Sequence, residues 1–204
     1  RESIEQCADR LYRMFAELSA CDETLATWYK RGRSRKRALQ ARADVGSREY
    51  LLGLLECGRH RRDSDKTVID DLGFCIGLWN GAATVDKEVG LGVTCGLYTS
   101  NPHLGNCVVL NLPEELGDLR HAERMAAVLT SVITAWEPDW AGVMSIAAIN
   151  AGAFDAKVPF VDWMVYLSNR FVPQVPLLPP PVTVRKVEKL GCIIVVQDEP
   201  PDHA

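Results

Sequence analysis

The run VGLGVTCGLY, Val89 to Tyr98, decides how the rest of this 204-residue chain is read. Val89, Leu91, Val93, Cys95 and Leu97 alternate with Gly90, Gly92, Thr94, Gly96 and Tyr98. A period of two sends alternate side chains to opposite faces of a strand. One face is therefore apolar, and the other is left bare by glycine. The string GLGVTCG superficially resembles a nucleotide-binding glycine loop. Its glycines alternate inside a strand pattern and no helix follows, so a phosphate cradle does not fit. Phe74 to Trp79 reads as a neighbouring strand, and Asn106 to Leu112 as another that Pro113 terminates, since proline has no N–H for a ladder. The connections are short enough for an antiparallel meander.

Helical spacing brackets these strands. Ile4, Cys7, Ala8, Leu11, Phe15 and Leu18 recur at threes and fours behind a Ser3/Gln6 capping box. A second helix is expected over Ser47 to Cys57, stopped by Gly58, and a third over His121 to Trp136, closed by Pro138. Short strands are expected at Leu25 to Tyr29, Val143 to Ile149, Val161 to Leu167, Val182 to Val187 and Cys192 to Val196, the last two forming a hairpin across Lys189 to Gly191. Pro173 to Pro181 reads as an extended surface connector and Asp198 to Ala204 as a frayed tail. The expected architecture is one α+β domain over residues 1–204. Its centre is a mainly antiparallel twisted sheet with two or three helices packed on it.

Composition bounds the function. With 47% hydrophobic and 25% charged residues the chain is of ordinary globular type. Met125 to Ala135 falls short of the roughly 20 apolar residues a membrane span needs. A net charge of -4 and a pI of about 5.6 argue against direct nucleic-acid binding, which depends on Lys and Arg. A basic partner fits better. Arg31, Arg33, Arg35, Lys36 and Arg37 form one basic cluster and Arg59, Arg61 and Arg62 a second; both read as solvated loops or helix ends, with a phosphate site as the lesser alternative. The chain opens on Arg1 rather than Met, so localisation is read from its cysteines. Seven of them, odd in number and scattered through apolar runs, point to a reducing compartment and hence the cytoplasm.

The residue types that make and break bonds do not gather. There is no CxxC, HxxxH or HExxH for a metal, no GxSxG elbow and no GxxxxGK loop. His60, His103, His121 and His203 read as surface histidines. Cys95 shares the core-side phase of Val93 and Leu97, and a buried thiol is normally inert. Asp70 with Asp71, and Glu114 with Glu115 and Asp118, are turn and capping carboxylates or an acidic surface offered to a basic partner. Trp79, Trp136, Trp140 and Trp163 pack cores by default, yet tryptophan is also enriched among interface anchors.

Several segments taken in order carry a resemblance. WYKRGRSRKRAL (Trp28 to Leu39), DDLGFCIGLWNG (Asp70 to Gly81), NCVVLNLP (Asn106 to Pro113), WEPDWAGVMS (Trp136 to Ser145), VDWMVYLS (Val161 to Ser168) and a late LGCIIV strand together resemble the immunity protein 52 family of bacterial polymorphic toxin systems, over roughly residues 25 to 197. The resemblance implies a protein encoded beside a toxin, often a restriction-endonuclease-fold nuclease delivered by a type VI secretion system. It would bind and neutralise that toxin in the producing cell without a reaction, cofactor or metal of its own. The family supplies no inhibitory motif. Surface chemistry selects Asp70, Asp71, Glu114, Glu115 and Asp118 for charge complementarity, with Trp79 or Trp163 as anchor. An unfamiliar enzyme would instead show convergent side chains in a pocket, and a self-associating subunit a large apolar patch.

Overall fold

A computed structural model describes residues 2–152, 154–155, 157–173 and 177–201. The fold is α+β with antiparallel sheets, and it divides into two compact units, Arg1–Leu116 and Gly117–Ala204.

The first unit runs α1 (Ile4–Cys21), β1 (Trp28–Lys30), α2 (Arg35–Leu39), β2 (Arg42–Ala43), α3 (Arg48–Cys57), β3 (Phe74–Trp79), β4 (Gly90–Cys95) and β5 (Cys107–Asn111). The strands lie in the order β2-β1-β3-β4-β5, every pair antiparallel. The Ser3 hydroxyl accepts from the Gln6 amide while the Gln6 side chain accepts from the Ser3 amide, closing the capping box that starts α1. Cys7, Ala8, Leu11, Met14, Phe15 and Leu18 of α1 are buried. Phe15 meets Trp28 edge-on at 5.7 Å, and α1 packs along α3, which in turn lies on β3.

Register sets which face of this sheet is core. Phe74 pairs with Cys95, Ile76 with Val93, and Leu78 with Leu91, so six apolar side chains share one face. All six are at most 5% exposed. Burying a side chain of that size contributes about 1.5–3 kcal/mol. The opposite face carries Cys75 and Gly77, both exposed, and Val109, half exposed. Gly73 (φ +62°) turns the chain into β3; a methyl there would strike the Cys95 carbonyl.

The second unit contains α4 (Ala122–Trp136), β6 (Trp140–Val143), α5 (Ile146–Ala151), β7 (Met164–Ser168), β8 (Thr183–Val187) and β9 (Gly191–Val195), with strand order β6-β7-β9-β8. Glu137 ends α4 in the left-handed conformation, its N–H reaching the Ile133 carbonyl at 2.8 Å. The β8–β9 hairpin pairs Val187 with Gly191. Met164, Val165 and Tyr166 are buried in succession, so β7 is covered on both faces.

Several expectations are corrected. Residues Val143 to Ile149 do not form a strand: the strand ends at Val143, and Ser145 then caps α5 by accepting from the Ala148 amide at 3.0 Å. The strand expected at Leu25 to Tyr29 begins only at Trp28, because Asp22 caps a 3-10 turn over Glu23–Leu25. The strands fall into two sheets and the helices number five among the described residues. Within Pro173 to Pro181, residues 174–176 lie outside the described residues, as do 202–204 of the tail; the Asp198 carbonyl accepts from the Ala122 amide at 2.8 Å. Among the described residues no helix is long and apolar enough to cross a membrane.

The two faces of the first sheet should respond differently to truncation. Leu91→Ala is expected to lower stability by about 2–5 kcal/mol and Val109→Ala by no more than about 0.5 kcal/mol, read as urea midpoints of the purified chain.

Candidate functional site

The open face of the first sheet is built in rows across the strands. Cys75, Thr94 and Cys107 form one row; Gly77, Gly92 and Val109 the next; Arg42, Tyr29, Trp79, Gly90 and Asn111 the last. Glycine at 77, 90 and 92 removes the side chains that would otherwise cover it. In that space the Arg31 arm lies over Gly90, so that a methyl on Gly90 would sit 2.8 Å from the Arg31 Nη2. Tyr29 and Trp79 rings lie 6.3 Å apart.

Trp79 is only 7% exposed, and its indole nitrogen has no hydrogen-bond partner among the described residues. A buried donor left unpaired costs about 1–3 kcal/mol, which an acceptor brought by a ligand would recover. Beside it opens a cavity of about 300 Å³ lined by Arg31, Gly32, Arg35, Ala38, Trp79, Ala82 to Val85 and Glu88. Asn80 shapes one wall: its Oδ1 accepts from the Ala82 and Val89 amides, and its Nδ2 donates to the Lys87 carbonyl. Arg35 donates to the Ala82 carbonyl at 2.7 Å. Val85, 86% exposed, stands at the rim. A larger cavity of about 420 Å³ lies at the β1–β2 end, lined by Ala26 to Trp28 and Arg42 to Gly46.

The residues singled out from the sequence separate under this geometry. β5 ends beside Gly90, so Glu114 and Glu115, which follow it, stand at the Trp79 end of the sheet. Both are exposed; the Glu115 amide donates to the Asp86 carbonyl at 3.1 Å, and its carboxylate faces Lys87 at 3.7 Å. Asp70 and Asp71 precede the other end of β3, a strand length of roughly 17 Å away. Arg59 bridges Asp70 and Glu56 while lying 5.1 Å over the Phe74 ring. Asp118 belongs to the second unit, in a 3-10 turn before α4. Trp163 belongs there too, 2% exposed, with its indole N–H donating to the Gln197 carbonyl at 3.0 Å. Tyr29, Arg31, Arg35 and Asn80 were not singled out one by one. For Arg31 and Arg35 the signal was the stretch from Lys30 to Arg42, which contains no Asp or Glu; Tyr29 and Asn80 carried none.

With this geometry in place, the family model described as Immunity protein 52 matches residues 1–201, nearly the whole chain. No curated protein matches it. That family implies a protein that binds a cognate toxin, and so a binding role rather than a catalytic one.

The thiols show how little reactive chemistry the core exposes. Cys95 is wholly buried and hydrogen-bonded with Cys7; that bond and its burial push the Cys95 thiol far above the ordinary cysteine range. Burial also raises Cys192. His103 is exposed, and no group of three His, Cys, Asp or Glu suited to a metal occurs among the described residues. All seven thiols are free, with Cys57, Cys75 and Cys107 exposed. A thiol-specific chromogenic reagent should therefore titrate Cys57, Cys75 and Cys107 rapidly in the folded chain and reach Cys7, Cys95 and Cys192 only after denaturation.

Proposed function

We propose, from the premise that the chain belongs to the immunity protein 52 family, that it protects the producing cell by binding a cognate toxin stoichiometrically and blocking it. The match over residues 1–201 carries this reading. We further propose that the toxin is a nuclease, of restriction-endonuclease fold and delivered by a type VI secretion system, met in the cytoplasm. A nuclease needs a basic surface for its polyanionic substrate, and a net charge of -4 is complementary to that in sign. The free thiols support a reducing compartment.

The Trp79 end of the first sheet is the proposed contact surface. Trp79, whose ring is nearly buried already, would act there through its unpaired indole N–H, with Glu114 and Glu115 as the acidic rim. Rim charges act mainly on encounter rate and partner choice, whereas a desolvated aromatic carries affinity. Asp70 and Asp71 would form a separate acidic patch at the far end of β3.

Co-expression with the protein encoded by the adjacent reading frame should relieve its toxicity and yield a 1:1 complex on purification. Continued cell death with no complex would overturn the reading. Within such a complex, Glu114→Lys with Glu115→Lys should weaken binding by about tenfold, chiefly through a slower association rate. Unchanged kinetics by surface plasmon resonance would remove those two residues from the interface.

A further inference from the structure

We propose that the cavity beside Trp79 receives a carboxylate side chain from the toxin, gripped by Arg31 and Arg35 with the Trp79 indole N–H behind them. The identity of the occupant rests on the immunity reading above; the chemistry of the cavity does not.

The two basic clusters of this chain differ in their acidic neighbours, though each sets one arginine on a backbone carbonyl, Arg35 on Ala82 and Arg61 on Lys66. In the second, Arg59 is neutralised by Glu56 and Asp70, and Arg61 donates to the Lys66 carbonyl. In the first, no carboxylate among the described residues comes within ion-pair range of Arg31, Arg33, Arg35, Lys36 or Arg37, all five of which are exposed. A chain with more acids than bases has carboxylates to spare, yet it leaves this segment without one. The complement is then to be found on a partner.

The cavity explains where that complement goes. Guanidinium groups and an indole N–H are donors only, so together they call for an acceptor that carries negative charge. The Trp79 N–H is closed off from solvent and has no acceptor among the described residues. The Arg31 guanidinium lies over Gly90, the strand partner of Trp79, where it can meet an incoming acceptor. A volume of about 300 Å³ suits one acidic side chain with parts of its neighbours, and Val85, Ala82 and Ala83 offer them apolar contact. Glu88 stands in the same wall. Its carboxylate repels a run of phosphates more than it repels one carboxylate, which favours an acidic peptide side chain over nucleic acid.

A blocked peptide, acetyl-Gly-Leu-Glu-Leu-Gly-amide, tests this on the full ¹⁵N-labelled chain, with the Gln-centred peptide as control. The indole resonance of Trp79, assigned by its loss in Trp79→Phe, should shift saturably with the Glu peptide. That peptide should bind about tenfold tighter than the Gln peptide. The shift should vanish in Arg31→Gln/Arg35→Gln, whose fold is checked by near-ultraviolet circular dichroism. Equal response to both peptides, no response at the indole, or tighter binding of inorganic phosphate or a single-stranded oligonucleotide would overturn the proposal. Co-purification separates it from the immunity reading. If wild type and Arg31→Gln/Arg35→Gln both retain the toxin equally, the carboxylate site falls and the immunity role stands. If wild type fails to retain it, the immunity role falls, and the peptide titration still decides the site.

Discussion

Leu91, Val93 and Cys95 point into the helical layer while Gly90, Gly92 and Thr94 point out, and the first unit is built around that alternation. A slip of one residue in β4 would turn its three apolar side chains to water and bring glycines to the core. Nothing that small could fill the space left opposite Phe74, Ile76 and Leu78. The Cys7–Cys95 contact ties α1 to the same strand, and the Phe15–Trp28 contact ties it to β1. Register, helix docking and strand order are thus held by one hydrophobic surface with one hand of alternation.

The same alternation leaves the far face of the sheet thinly clothed. Glycines that contribute nothing to the core allow a long side chain such as Arg31 to lie flat against the backbone, and they leave Trp79 covered by loop and arginine rather than by a second packed layer. An indole N–H without an acceptor sits where acidic and basic residues are interleaved: Arg31 and Arg35 on one side, Glu88, Glu114 and Glu115 nearby. Mixed charge of this kind, at a contact surface such as the one proposed, favours one docking pose over its alternatives more than it raises affinity.

Much of the architecture was legible along the chain because local rules and burial agree there. Ser3 and Gln6 mark the start of α1, Ser47 and Gly58 bracket α3, and Phe74 to Trp79 forms a strand over the residues its composition indicated. Legibility failed at residues 143–149, where a run of apolar residues fits strand and helix alike. The deciding feature is a serine cap whose own amide donates to Asp162, 17 residues away. Arg35–Leu39 was read only as loop or helix end, and it forms a short helix of its own.

Sequence alone determined the class of fold, the face of each long helix that is buried, the strand alternation and the acidic balance, because these depend on neighbours within one or two turns or pleats. The family resemblance was likewise carried by the order of local segments. Only the tertiary structure decided which tryptophan is spare. Trp79 and Trp163 look alike along the chain, yet the N–H of Trp163 finds the Gln197 carbonyl 34 residues away, while that of Trp79 finds none among the described residues. A hydrogen-bond partner so distant in sequence is set by the folding of the whole unit, and no local pattern encodes it.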